Sequence, residues 1–282
     1  MSKGFLIFAE NSTSVDYLRQ AYALALTIKY SQQSVKNVSL VTNDLIPEKY
    51  KDVFDKIIPI PWIDSTNFKS DLKAEHRWKL YHITPYDETI VLDSDMLLLE
   101  DISVWWDYCS NYDIKFCSKI YNYKLESIDV DTTHRATFIA NNLTSPYFAL
   151  HYFKKSDRAH EFYKILEFVI NNWEFARGTF APNEPQLWIS MDLASAIVIE
   201  IMLAYECVDD VVSPLGFIHM KTPLQGWKPI PARWQDTVPF SLNSKGDLFV
   251  GNIKQRKLFH YVEKNFITDN ILVKLEKISN GS

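Results

Sequence analysis

Apolar residues run unbroken over residues 4–9, polar residues take over at 10–14, and apolar positions then recur at helical spacing over 15–30. The pattern predicts a buried strand, a loop and a helix, with Ser14 or Asp16 available near the helix cap. A second strand is expected at 38–42, ending in Asn43-Asp44, and a third at 56–60, closed by Pro59 and Pro61. A further helix over 71–83, packed with Trp78, Leu80 and Tyr81, stops at Pro85, and the strand after it runs into Asp93. Alternation of this kind implies an α/β fold, a mostly parallel sheet flanked by helices on both faces.

The second half is less regular. Residues 114–118 and 147–153 read as strands, 160–173 as an amphipathic helix, and 184–205 as a long helix with mostly buried faces. From 211 onward Pro214, Pro223, Pro229, Pro231 and Pro239 split the chain into short pieces, a pattern that wraps over a sheet and carries function where it crosses a cleft. Residues 247–275 offer a strand, a turn at Gly251-Asn252 and a helix from about Thr268. This block, with Lys254, Arg256, His260 and Tyr261, could close over a cleft or mediate a homodimer; the pattern does not decide which.

At 282 residues the chain forms one large domain. A net charge of -5 argues against a protein whose main affinity comes from phosphate backbones, although a local basic groove or a nucleic-acid acceptor is not excluded. Cys109, Cys117 and Cys207 show no paired spacing, which suggests structural thiols in a reducing compartment such as the cytoplasm. Residues 5–9 are too short for a signal core and Glu10 interrupts them; the apolar stretch 193–205 contains Glu200 and falls short of a membrane span. The glycosylation sequons at Asn11, Asn37, Asn142 and Asn280 then read as chance matches.

Chemistry concentrates at Asp93-Ser94-Asp95, where apolar residues lead in and resume at once. Burying unpaired carboxylates costs several kcal/mol each, and a divalent cation with oxygen ligands compensates that cost. The end of a buried strand is also where open α/β sheets place ligands. As alternatives, Asp93 could cap a turn and Asp95 could pair with a lysine or arginine.

The stretch from Arg77-Trp78-Lys79-Leu80 through Ile83-Thr84-Pro85-Tyr86, Asp93-Ser94-Asp95 and Trp105-Trp106 resembles the glycogenin-like (family 8-type) glycosyltransferases, which have the GT-A fold. The resemblance covers roughly residues 4–230 and is strongest at the aspartates. It implies a nucleotide-sugar-binding half (1–106), an acceptor-side half (107–240) and a C-terminal appendage (241–282). It further implies that Arg77 helps hold a nucleotide-sugar, and that Asp93 and Asp95, with Ser94 between them, hold Mn²⁺ (or Mg²⁺) on the donor diphosphate. His219, in the segment HMKTPLQGWKP, is the counterpart of the family's third metal ligand, with Gly226 in the same loop and with Lys221 and Lys228 as candidates for the phosphates; the two lysines read equally as a solvated loop face. Ala9, Asn11 and Tyr17 fall where the family lines its nucleoside pocket; Tyr17 reads equally as a helix-face core residue.

The departures bear on specificity. Tyr147-Phe148-Ala149 stands where the family has a small turn, and Asn183-Glu184-Pro185-Gln186 where it has an acid followed by an amide. Glu184, with Asn183, becomes the candidate acceptor-side catalytic group; a first-turn carboxylate favourable to a helix dipole is the plain alternative. The family chemistry implies transfer from a nucleotide-sugar, a UDP-sugar by resemblance, to a glycan, protein or other hydroxyl acceptor, with retention of configuration. A non-catalytic nucleotide-sugar or glycan binder remains an alternative. A sugar nucleotidyltransferase would need a glycine-rich loop after the first strand, and residues 10–14 contain no glycine.

Overall fold

The computed structural model describes residues 1–62, 74–128, 135–208 and 212–281. In chain order its elements are β1 (Lys3–Phe8), α1 (Tyr17–Ser31), β2 (Val38–Val41), α2 (Glu48–Lys51), β3 (Lys56–Ile58), a 3₁₀ turn (Ala74–Lys79), α3 (Leu80–Ile83), β4 (Glu88–Asp93), β5 (Met96–Leu98) and α4 (Ser103–Cys109). There follow β6 (Ile114–Cys117), β7 (Ile120–Tyr121), β8 (Ser127–Ile128), α5 (Ala136–Ala140), β9 (Tyr147–Lys154), α6 (Asp157–Asn171), α7 (Trp173–Phe180) and α8 (Met191–Met202). The last third supplies β10 (Phe217–His219), β11 (Phe240–Leu242), β12 (Leu248–Val250), β13 (Ile253–Lys254), β14 (Leu258–His260) and α9 (Asp269–Asn280).

The central sheet has the order β3-β2-β1-β4-β9-β6. β1 pairs in parallel with both β2 and β4, while β9 runs antiparallel to β4 and β6. Period-two alternation of side chains makes this sheet the divider between two cores. Phe5 and Ile7 of β1 pack with α1 and α9 on one face; Leu6 and Phe8 pack with α6 and α8 on the other. Both faces are covered, which is why β1 and β4 read as apolar runs rather than as alternating strands.

A second sheet, β5-β14-β10-β7-β8, is built from short pieces far apart in sequence. β14 lies antiparallel to β5 (Met96↔His260) and parallel to β10 (His219↔His260). This one strand, from the end of the chain, is set against the turn that leaves β4.

Two helix boundaries differ from the sequence expectation. Residues 74–79 form a 3₁₀ turn and only 80–83 are α-helical, while residues 71–73 lie outside the described residues. The long helix expected from 184 begins at Met191, because Ser190 is the residue whose side chain caps it, accepting from the Leu193 amide. Pro182 and Pro185 keep the preceding stretch irregular, since proline supplies no amide hydrogen to a helix. All three cysteines are buried and free. No helix among the described residues is long and apolar enough to cross a membrane.

Candidate active site

β4 delivers its last residue, Asp93, at the carboxyl end of the parallel strands, and the tight turn through Ser94 places Asp95 at the start of β5. Asp95 is buried and its carboxylate needs partners. It finds His260 Nε2 at 3.0 Å and Lys264 Nζ at 2.5 Å, both from the C-terminal block. Burial alone would raise the Asp95 carboxyl, but the charges and hydrogen bonds of His260 and Lys264 outweigh it and hold it well below the usual carboxylate range. Burial would likewise lower Lys264, and the facing Asp95 raises it. Asp93 is paired with Arg77, whose guanidinium also lies 5.5 Å from the Phe8 ring centre.

Ligand atoms of Asp93, Asp95 and His260 all lie within 4.8 Å of one another. Two carboxylates and an imidazole make a donor set suited to a divalent cation. The imidazole that reaches the carboxylates is that of His260, not His219. His219 lies one strand further away and stacks on the His260 ring at 4.8 Å between centroids. The Nδ1 of His260 is buried without a hydrogen-bond partner among the described residues.

Two cavities meet here. The first, about 300 Å³, is lined by Ala9, Glu10 and Tyr17 at one end and by Asp93, Ser94, Asp95, Lys221 and Lys264 at the other. Lys264 Nζ stands 5.4 Å from the centre of the Tyr17 ring. Partial burial, followed by the Arg135 charge, lowers Lys221 from the ordinary lysine value. The second cavity, about 280 Å³, shares Arg77, Asp93, His219 and His260 and is otherwise walled by Tyr147, Phe148, Ala149, Trp188, Ile189, Ser190, Met191 and Asp192.

The remaining sequence candidates sit elsewhere. Asn11 lines neither cavity; its side chain accepts from the Leu18 amide and pins the loop before α1. Gly226 closes the 3₁₀ turn after Lys221 with φ of 72°, a left-handed value that favours glycine, and neither it nor Lys228 lines either of these two cavities. Glu184 is buried and its Oε1 accepts from the Gln186 amide at 2.8 Å, while Asn183 bonds the Ala140 carbonyl and the Asn141 side chain. Neither lines the two cavities, and the carboxylates that line the second are Asp93 and Asp192. Lys264 and Asp192 thus join the site from positions that sequence reasoning did not select, and His260 from the C-terminal block named there without a ligand role.

No family model and no curated protein matches the chain. Solved structures do. The chain aligns with the apo structure of WbbM, a bifunctional glycosyltransferase, at TM-score 0.55 and 11% identity over 99% of this chain and 50% of that one. The galactosyltransferase LgtC, in complex with donor and acceptor sugar analogues, aligns at TM-score 0.53 and 12% identity over 98% and 95%. The fold is that of the GT-A glycosyltransferases. The apo glycosyltransferase GlyE of Streptococcus pneumoniae TIGR4 aligns at TM-score 0.50 and 11% identity over 99% and 60%. The chain therefore spans half to three-fifths of the length of WbbM and GlyE, and nearly all of LgtC. In GT-A terms, the Asp93–Asp95 turn stands at the carboxyl edge of the parallel strands, where open α/β sheets place their ligands.

Proposed function

We propose that the protein is a metal-dependent glycosyltransferase that moves a sugar from a nucleotide-sugar to an acceptor hydroxyl. The observation that carries this reading is the gathering of Asp93, Asp95 and His260 at the carboxyl end of the parallel strands of a GT-A fold. Asp93, Asp95 and His260 would hold the cation, Mn²⁺ or Mg²⁺. When bound, such a cation acts as a Lewis acid that neutralises a departing diphosphate.

The chain's own residues divide the remaining work. Ala9 and Tyr17 supply an apolar and aromatic wall suited to a nucleoside. Lys264 and Lys221 bring ammonium groups to the same cavity, where they would meet the diphosphate as point charges. Arg77, shared by both cavities, stands between phosphate and sugar. The second cavity would then take the transferred sugar, and exposed Trp188 at its edge offers a face for an acceptor ring. The resemblance to glycogenin-like enzymes extends the proposal to a UDP-sugar donor and to retention of configuration. The buried free thiols support a reducing, cytoplasmic setting.

The test is release of nucleoside diphosphate from a panel of UDP- and GDP-sugars, with Mn²⁺ and then with a chelator. Turnover that the chelator abolishes is the expected result. Tight nucleotide-sugar binding without turnover would instead make this a binding protein, and no metal-dependent binding would defeat both readings.

A further inference from the structure

Charge is scarce beside the second cavity. Residues 136–149 contain no charged side chain, and residues 178–191 contain one, Glu184, which is buried. In a chain that is 23% charged, two such stretches depart from the ordinary composition, and the fold joins them. The Asn183 amide donates to the Asn141 side chain and the Asn183 side chain to the Ala140 carbonyl, each at 3.0 Å. The same loop is bonded to α7, where Trp173 Nε1 donates to the Leu187 carbonyl at 3.0 Å and Arg177 Nη1 to the Glu184 carbonyl at 2.7 Å.

The joined pieces are apolar as well as uncharged. Ile139 of α5 is 55% exposed, Leu187 73%, Trp188 57% and Phe175 of α7 67%. A single exposed apolar residue is ordinary on any protein, but several on one bonded corner make a patch, and patches mark contacts. Glu174, next to Phe175, shows where charge returns. The position of the patch says what meets it. Trp188 also lines the second cavity, beside Ile189 and Met191, so the apolar surface continues into the cavity mouth. A molecule that enters with a sugar end lays whatever follows the sugar across this surface. Neither stretch offers an ammonium or guanidinium group to hold an acidic or phosphorylated chain, and Arg177 at the rim is engaged by Glu184. A hydrocarbon chain needs no such partner and gains by leaving water.

We propose that this face takes the hydrocarbon part of an amphiphilic acceptor, a sugar carried on a lipid or long alkyl chain, whose sugar end sits at the mouth of the second cavity. This rests on the transferase reading above and adds to it the class of acceptor. The hydrocarbon contributes binding and no chemistry, so its effect falls on the acceptor KM and not on kcat.

The experiment compares methyl and octyl β-glucosides, β-galactosides and β-lactosides below their micelle concentrations. Their binding is measured by calorimetry in the presence of UDP and Mn²⁺, and their use as acceptors by nucleoside diphosphate release. At least one octyl glycoside should bind saturably and about tenfold tighter than its methyl counterpart, with kcat for the pair within about twofold. Leu187→Ser, on the loop, and Ile139→Ser, on α5, should each narrow that gap about threefold, and the double variant should close it. Binding of the methyl glycoside should stay within about twofold throughout. Both side chains stand in solvent, and the two single variants guard against a fault in either piece.

Three results would overturn the inference alone: octyl glycosides that bind no tighter than methyl ones, a gap that survives the double variant, or wild-type dimers that Leu187→Ser converts to monomers, which would give the face to a second copy of the chain. Saturable octyl glycoside binding by a protein that releases nucleoside diphosphate from no nucleotide-sugar would instead overturn the transferase reading, and the acceptor's role with it.

Discussion

The two cavities share a wall and differ in how they treat charge. The first holds Asp93, Asp95, His260, Lys264 and Lys221 close together, and there opposite charge overrides burial, driving Asp95 down and Lys264 up. Behind the second cavity burial wins. His151 of β9 is fully buried, stacked 4.3 Å from the Phe148 ring, with Nδ1 on the Phe148 carbonyl and Nε2 on the Tyr163 hydroxyl. Desolvation pushes its imidazole down to about 4, only partly offset by the hydrogen bond to Phe148. One region is thus an ion-dense cleft that suits a diphosphate and its cation. The other shares Arg77, Asp93, His219 and His260 with the first, adds Asp192 and a wall of aromatic and aliphatic side chains, and is backed by an apolar core.

Asp95→Asn tests the charged side most severely. The change is nearly isosteric yet removes a metal-ligand charge, and metal-dependent diphosphate release should fall about a thousandfold. A folded Asp95→Asn protein with near-normal rates would break the comparison at its root.

The apolar side should fail first in acid. His151 is held neutral in the fold at about 4, against about 6.5 in the unfolded chain, so its contribution is fully present above pH 6.5 and is lost as pH falls toward 4. Across that window the loss amounts to about 3 kcal/mol of stability. Thermal unfolding from pH 7 to 4 should show this decline, and His151→Gln should flatten it. An equally steep decline in that variant would assign the acid sensitivity elsewhere.

The paired histidines sharpen the boundary between the cavities. His260→Ala should weaken Mn²⁺-dependent turnover by about thirtyfold, while His219→Ala, which removes only a stacking neighbour, should cost less than about fivefold. The reverse ranking would return the third ligand position to His219. The smallest effect is expected at the cavity edge. Trp188→Ala should raise the acceptor KM about fivefold once a glycan panel has supplied an acceptor, since an exposed ring contributes stacking and little else.

Much of the fold was legible because the parallel strands are buried on both faces and announce themselves as apolar runs. Asp93 and Asp95 followed from the same signal, and Arg77 from the family resemblance. The imidazole that stands beside the aspartates was not legible, for a physical reason. His219 and His260 are register partners on adjacent strands, so the histidine in the more suggestive sequence lies one strand spacing from the one that bonds Asp95. Only the pairing of β14 with β5 separates them, and nothing local encodes a contact over that distance. Glu184 lines neither cavity. An acidic residue before an apolar run looks like a helix start, but Ser190 caps the helix, and Asp192, hidden inside the apolar pattern, enters the cavity.

The bond from His260 to Asp95 closes a loop of 165 residues. A chain emerging from the ribosome carries its parallel strands and both aspartates long before that partner, whereas α9, which covers one face of the sheet, comes later still. Competence for chemistry would then be acquired late, when β14 slides in beside β5. A protein halted short of His260 would hold a buried Asp95 carboxylate with neither of its two cationic partners.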